Sequence, residues 1–119
     1  MIAINSEMYY EKLSNKDRNV LMYFQIPYAA HCRQMTPIVE MVGFRLNKAG
    51  KNLDVYSIDA TKNDVEGHHY NAYPTILLYL KGRKDSDEPI QYHGPEFELH
   101  YLEWLEQHVP DFKMPDEEQ

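Results

Sequence analysis

The chain has 119 residues, a net charge of −7 and a pI near 5.3. That length fits one domain with its own core. The excess of acidic residues argues against nucleic acid or an anionic membrane as the main partner, because both attract a basic surface. No apolar run approaches the roughly 20 residues of a membrane span. Cys32 is the single cysteine, which excludes an internal disulfide.

The pattern of apolar residues predicts the secondary structure. In chain order it predicts a short strand at 2–4, a helix capped by Ser6, a strand at 19–26, a helix from Ala29 to about Asn47, a strand at 53–60, a short helix at 63–70, strands at 75–80 and 89–93, and a last helix opened by Gly94 and Pro95. Strands that alternate with helices and end in a pair of neighbouring strands indicate an α/β sheet with helices on both faces.

Prolines mark several of these elements. Pro37 falls inside the long helix and is expected to kink it. Pro89 cannot donate to a ladder, so it places the last strand at a sheet edge. Pro95 suits the first position of the last helix, which is expected to be anchored by four large side chains. These are Phe97, Leu102, Trp104 and Leu105. Residues 1–110 are predicted to form the domain, and 111–119 a polar, flexible tail.

Three blocks of sequence carry a resemblance to a known family. "PYAAHCRQMTP" is similar to the motif P-W-C-G-H-C-K-x-x-x-P, "SIDATKNDVEGHHYNAYPTILLYLKG" to the stretch from a third strand through a cis-proline loop, and "YHGPEFELHYLEWLEQH" to a last strand and helix. In this order and spacing the chain, from about Ile4 to His108, resembles a thioredoxin-fold domain of the protein disulfide isomerase family. The resemblance implies a central mixed sheet of four or five strands, flanked by helices, and a cis bond before Pro74.

The redox motif of that family is degenerate here. A thiolate attacks a disulfide, and a second thiol resolves the mixed disulfide that forms. The resemblance aligns the attacking cysteine with Ala29 and the resolving cysteine with Cys32. Ala29, Ala30, His31 and Cys32 therefore make a motif without a nucleophile, and no catalytic residue is expected in the chain as written.

Other positions of the family's redox machinery are also replaced. Tyr28 stands for the motif tryptophan, Tyr23 for a buried glutamate, Ser57 for its lysine partner and Glu96 for an arginine that helps the resolving cysteine ionise. Several independent losses favour a domain that has naturally lost its redox function. The alternative is a thiol–disulfide oxidoreductase whose cysteine at position 29 was changed to alanine.

The surface around the cis-proline is the candidate binding site. In the family this loop leaves the backbone of the residue before the proline free to bond an extended peptide. Tyr28, His31, Tyr73 and Pro74 are therefore the expected substrate-binding residues, with Ile26 at their border. Cys32 is expected to be a small buried hydrophobe rather than a reactive thiol.

The resemblance also implies partners and a location. The expected partners are unfolded or extended polypeptides, or a fixed protein partner, bound by one domain of a longer multidomain chain. The family's setting is the lumen of the endoplasmic reticulum. The six histidines show no ligand spacing, so no metal is expected, and no cofactor either.

Overall fold

The computed structural model describes residues 1–63 and 73–112, and its strands form one five-stranded sheet. The strands are β1 (Ile2–Ile4), β2 (Asn19–Gln25), β3 (Leu53–Asp59), β4 (Thr75–Tyr79) and β5 (Ile90–Gln91), and the helices are α1 (Ser6–Leu13), α2 (Ala30–Lys48) and α3 (Glu98–His108), followed by a 3-10 turn at Pro110–Phe112. The strand order is β1-β3-β2-β4-β5. The helix predicted at 63–70 lies, beyond Asn63, outside the described residues.

The sheet is mixed, as predicted. β1 and β2 both pair in parallel with β3, whereas β4 is antiparallel to β2 and β5 is antiparallel to β4. β5 lies at one edge of the sheet, where Pro89 had placed the last strand. The central strand β2 is buried along nearly its whole length because both of its faces are covered.

Two hydrophobic clusters lie on opposite faces of the sheet. Leu21 and Tyr23 of β2 pack with residues of α2 and α3, whereas Val20, Met22 and Phe24 pack with residues of α1. This alternation follows from the two-residue period of a strand, which sends successive side chains to opposite faces. Helices on both faces of the sheet are thereby confirmed.

The start of α1 differs from the prediction. Asn5, not Ser6, is the N-cap, and its side-chain oxygen accepts a hydrogen bond from the backbone N–H of Met8 at 3.0 Å. Asparagine caps a helix as well as serine does. The capping side chain must come three residues before the N–H that it accepts from, and Asn5 stands in that position relative to Met8. The backbone N–H of Ser6 donates to the side chain of Asn63 instead, at 3.1 Å.

The start of α3 was also predicted wrongly. The helix begins at Glu98, with Phe97 as N-cap, because the chain makes a separate turn after β5. The carbonyl of Pro95 accepts from the Tyr92 hydroxyl at 2.5 Å and from the Phe97 N–H at 2.9 Å, so it is engaged outside the helix. Phe97 has extended backbone angles and projects into solvent, and Tyr101 fills the core in its place.

The packed structure continues to the end of the described residues. Phe112, in the 3-10 turn after α3, is 1% exposed and belongs to the cluster beneath α2 and α3. Residues 113–119 lie outside the described range. None of the helices within 1–63 and 73–112 is long and apolar enough to cross a bilayer.

Candidate functional site

The candidate site lies where β2 passes into α2. β2 ends at Gln25, and a tight turn follows in which the N–H of Ala29 donates to the carbonyl of Ile26 at 2.9 Å. Ala29 is the N-cap of α2, with extended backbone angles, and no side chain caps the helix there. A helix N-terminus favours negative charge, so the fold presents a favourable place for a thiolate. Ala29 occupies that place, and its side chain is only a methyl group.

Cys32 belongs to the first turn of α2, and its side chain points into the protein. Its side chain is 0% exposed, and its sulfur accepts a hydrogen bond from the N–H of Ile26 at 3.4 Å. Burial raises the pKa of the Cys32 thiol, the hydrogen bond from Ile26 opposes that rise, and the charge of Glu96 adds to it. The predicted burial of Cys32 is confirmed, and its surroundings favour the neutral thiol.

A hydrogen-bonded cluster of hydroxyl groups supports Cys32 from below. The Tyr23 hydroxyl donates to the Cys32 carbonyl at 3.1 Å and lies 2.8 Å from the Thr36 hydroxyl. The Thr36 hydroxyl can donate to the same carbonyl at 2.8 Å or to the side-chain oxygen of Gln25 at 3.2 Å. This cluster fixes the first turn of α2 just before Pro37, which lies inside the helix as predicted.

Tyr23 and Ser57, which align with the family's proton relay, are uncharged and buried. Tyr23 lies directly opposite Ser57 in the register of β2 and β3, so the two replaced relay positions are true neighbours. Burial raises the pKa of Tyr23, and a phenol in this state is not a base near neutral pH. A second phenol, Tyr101, is fully buried, and its hydroxyl has no hydrogen-bond partner within the described part of the chain.

Glu96 reaches the start of α2 from the loop before α3. One of its carboxylate oxygens lies 3.2 Å from Nδ1 of His31, whose side chain is 70% exposed. The contact puts an acidic group at the position where the resemblance implies an arginine. Both residues align with the family's site in the sequence, but their pairing was not predicted, because it depends on how the loop before α3 folds back onto α2.

The expected binding residues lie at this same end of the sheet. Tyr28 is 75% exposed, whereas Ile26, Tyr73 and Pro74 are half-buried. The Tyr73–Pro74 bond is cis, and the next residue, Thr75, pairs with Phe24 near the end of β2. That register brings the loop beside the turn that leads into α2.

Two large apolar residues near the site were not predicted there. Phe97 and Leu99 are both exposed at the start of α3, next to Glu96. Phe97 was predicted to anchor α3, and this was wrong because the helix begins three residues later than predicted. Within residues 1–63 and 73–112, no three His, Cys, Asp or Glu side chains come close enough together to hold a metal ion.

Comparisons with known proteins agree with this geometry. The sequence profile of the thioredoxin family (Thioredoxin) matches residues 1–106. The chain is 32% identical over 104 residues to protein disulfide-isomerase A4 of Bos taurus, and the aligned region covers 85% of this chain and 16% of that protein. It is 30% identical over 84 residues to protein disulfide-isomerase of Saccharomyces cerevisiae, covering 71% of this chain and 16% of that one.

Solved structures give the same picture of the fold. Chloroplastic thioredoxin z superposes with a TM-score of 0.74 at 17% identity, covering 90% of this chain and 92% of that one, and at this identity it supports the fold alone. The first thioredoxin domain of mouse protein disulfide-isomerase A4 superposes with a TM-score of 0.68 at 25% identity, covering 97% and 80%. The chain spans 16% of the length of the bovine and yeast isomerases named above.

Proposed function

Because the chain belongs to the thioredoxin family, and its curated relatives are protein disulfide isomerases, we propose that it is a redox-inactive thioredoxin-like domain that binds extended or unfolded polypeptide. One observation carries the redox part of this proposal. Ala29 is the N-cap of α2 at the position of the nucleophile, and Cys32, which carries the single thiol of the chain, is buried.

The chemistry of disulfide exchange explains why this arrangement supports an inactive domain. Exchange needs an accessible thiolate as nucleophile. Ala29 supplies none, and Cys32 is shielded from a disulfide of protein size and held neutral by burial and by the charge of Glu96. The two relay positions also hold no base that could take its proton, since Tyr23 and Ser57 occupy them.

The binding part of the proposal is supported by the surface that remains. Tyr28 presents an aromatic ring to solvent at the end of the sheet where His31, Tyr73 and Pro74 also lie. Exposed aromatic side chains supply contact area at small entropic cost and are enriched where proteins bind one another. An extended polypeptide suits such a rim, because its backbone can follow a loop while its side chains contact the rings.

The names of the curated relatives favour a second candidate, a thiol–disulfide oxidoreductase with cysteine as the natural residue at position 29. The first candidate is preferred because Tyr23, Ser57 and Glu96 would each have to be explained separately. The proposed setting is one domain of a longer chain in the lumen of the endoplasmic reticulum, and the location rests on the family resemblance alone.

A redox assay tests the first half of the proposal. The chain is expected to reduce insulin with dithiothreitol no faster than its own Cys32→Ser variant, and both rates should equal the uncatalysed one. The first thioredoxin domain of mouse protein disulfide-isomerase A4 is a matched reference of the same fold, to be assayed alongside. Turnover above background that disappears in Cys32→Ser would overturn the proposal.

A binding assay tests the second half. A reduced, carboxymethylated and fluorescently labelled polypeptide is titrated with the chain, and anisotropy is measured. Tyr28→Ser should weaken binding, whereas Tyr10→Ser, which removes another exposed tyrosine on α1, should not. Equal affinities of the two variants would show that the surface around Tyr28 is not where polypeptide binds.

A further inference from the structure

The start of α3 carries two large apolar side chains that remain in solvent. Phe97 is 63% exposed and Leu99 is 64% exposed, and the Phe97 ring contacts the His100 ring with centroids 5.9 Å apart. The preceding residue, Glu96, contacts His31 of α2. We call Phe97 and Leu99 the α3 lobe. The His31–Glu96 contact holds the residue that precedes this lobe against the first turn of α2.

Arg33 lies on the other side of that turn. Successive residues of an α-helix are rotated by about 100°, so the residues before and after the inward Cys32 project to opposite sides of it. His31 projects toward α3 and Arg33 away from α3. The N–H of Arg33 donates to the Ala29 carbonyl at 3.0 Å, which sets Arg33 one turn along the helix from the N-cap.

Among the described residues, Arg33 has a charge at this surface that no carboxylate compensates. Its side chain is exposed, and within residues 1–63 and 73–112 no carboxylate forms an ion pair with it. On the α3 side of this turn, Glu96 pairs with His31 and Glu98 pairs with Arg45 at 3.0 Å. A ligand with a carboxylate would therefore complement the charge of Arg33 at this surface, although the whole chain has a net charge of −7.

We propose that the polypeptide bound here presents an apolar side chain to the α3 lobe and a carboxylate to Arg33, with its backbone crossing Ala29. The inference rests on the proposed function and specifies the class of polypeptide that the surface takes. The methyl group of Ala29 lets a backbone pass between the two contacts more easily than a larger side chain would. The two contacts lie on opposite sides of α2, so they also set the direction of the bound segment.

Four synthetic peptides test the proposal with the full 119-residue chain. They share one extended, otherwise polar sequence and differ at two positions. The first position is phenylalanine or serine and the second is aspartate or lysine, which gives the four combinations. Affinities are measured by anisotropy at low and at high salt. The phenylalanine–aspartate peptide should bind about two- to fivefold more tightly than the phenylalanine–lysine peptide at low salt, the range of an exposed ion pair, and salt should reduce that ratio.

Variants of the chain locate the two contacts. Arg33→Gln should abolish the preference for aspartate over lysine, while Lys48→Gln, the same change of charge at the far end of α2, should preserve it. Phe97→Ser should weaken both phenylalanine peptides by about three- to tenfold, the range for partial burial of an aromatic ring. Phe44→Ser removes an equally exposed phenylalanine of α2 and should leave all affinities unchanged.

The outcomes separate this inference from the proposed function. If the peptides bind and respond to Tyr28→Ser, but ignore Arg33→Gln and Phe97→Ser, the inference is wrong and the polypeptide-binding function stands. A preference for lysine would likewise overturn the inference. If no peptide and no unfolded polypeptide binds, both fail together.

Discussion

The hydroxyl of Tyr23 donates to the backbone carbonyl of Cys32 across 3.1 Å, from the central strand to the first turn of the helix above it. The same hydroxyl lies 2.8 Å from that of Thr36. The residue that stands where the family has a buried acid is therefore part of the support of α2. A neutral structural contact therefore occupies this position in the fold.

This contact predicts opposite results for two buried tyrosines. Tyr23→Phe should lower the free energy of unfolding by about 1 kcal/mol, because it removes hydrogen bonds inside the core while the ring stays in place. Tyr101→Phe should leave that free energy unchanged or raise it by up to about 1 kcal/mol, because its hydroxyl has no partner among the described residues. Urea unfolding monitored by circular dichroism measures both. A larger loss in Tyr101→Phe than in Tyr23→Phe would contradict this account of the core.

Alkaline pH should destabilise the fold. Burial raises the pKa of Cys32, Tyr23 and Tyr101 in the folded chain. In the unfolded chain a cysteine ionises near pH ~8.5 and a tyrosine near ~10. At pH values between the unfolded and the folded pKa, the folded chain therefore holds protons that the unfolded chain has lost. The free energy of unfolding should be constant below about pH 8 and should fall as pH rises above it. Urea midpoints measured from pH 7 to above pH 10 check this.

A cysteine-free variant separates the contributions to that pH dependence. In Cys32→Ser the decline should begin later, near the ionisation of the tyrosines. A midpoint that stays constant to above pH 10 in the unaltered chain would show that these groups titrate alike in both states.

Arg83 is expected to be the most sensitive residue of the turn between β4 and β5. Its guanidinium donates to four backbone carbonyls, which ties the turn to the segment between α1 and β2. The carbonyls belong to Leu13, Asn15, Arg18 and Leu80. Arg83→Gln should lower stability by about 1–3 kcal/mol, because these acceptors lose a charged donor.

The neighbouring exposed residue provides the control for Arg83. Lys84→Gln makes the same change of charge one position away, and stability should change by less than about 0.5 kcal/mol. Thermal unfolding of both variants gives the comparison. Equal melting temperatures of the two would show that the contacts of Arg83 contribute little.

Restoring the nucleophile should return only part of a redox activity. In Ala29→Cys the new thiol would sit at the N-cap of α2, where the helix stabilises a thiolate by about 0.3–1 kcal/mol. It should attack disulfides and form a bond with the sulfur of Cys32. Release should be slow, because Cys32 is buried and Glu96 disfavours its ionisation. Trapped mixed disulfides, measured on non-reducing gels, should therefore accumulate.

The relay positions decide how much of that activity returns. Adding Tyr23→Glu, Ser57→Lys and Glu96→Arg to Ala29→Cys should raise turnover, since general base help is worth roughly 10²- to 10⁴-fold. The first two positions face each other in the register of β2 and β3, so the new pair can form. Tyr23→Glu removes the support of α2, so a stability measurement must accompany the rates. Full activity of Ala29→Cys alone would instead favour the oxidoreductase candidate.

Much of the fold could be predicted from sequence because strong periodicity sets it. β2 and α2 were placed within a residue or two, since a long apolar run and a helical stripe leave few alternatives. The start of α3 was missed because the carbonyl of Pro95 is held by Tyr92, a contact that no local pattern reveals. The positions aligned with the motif were foreseeable, whereas the His31–Glu96 contact depends on how a distant loop folds back.

The position of β1 has a consequence for how the chain folds. Ile2 pairs with Tyr56 and Ile4 with Ile58, so the first strand has no partner until β3 has been formed. The loop between β1 and β3 contains α1, β2 and α2, and closing it costs entropy before any hydrogen bond between the two strands forms. Such non-local parallel pairing slows folding. The segment from α1 through α2 can collapse early, while β1 remains an unpaired strand. We therefore expect its docking to be among the late events of folding, and its amide protons to exchange more readily than those of β2.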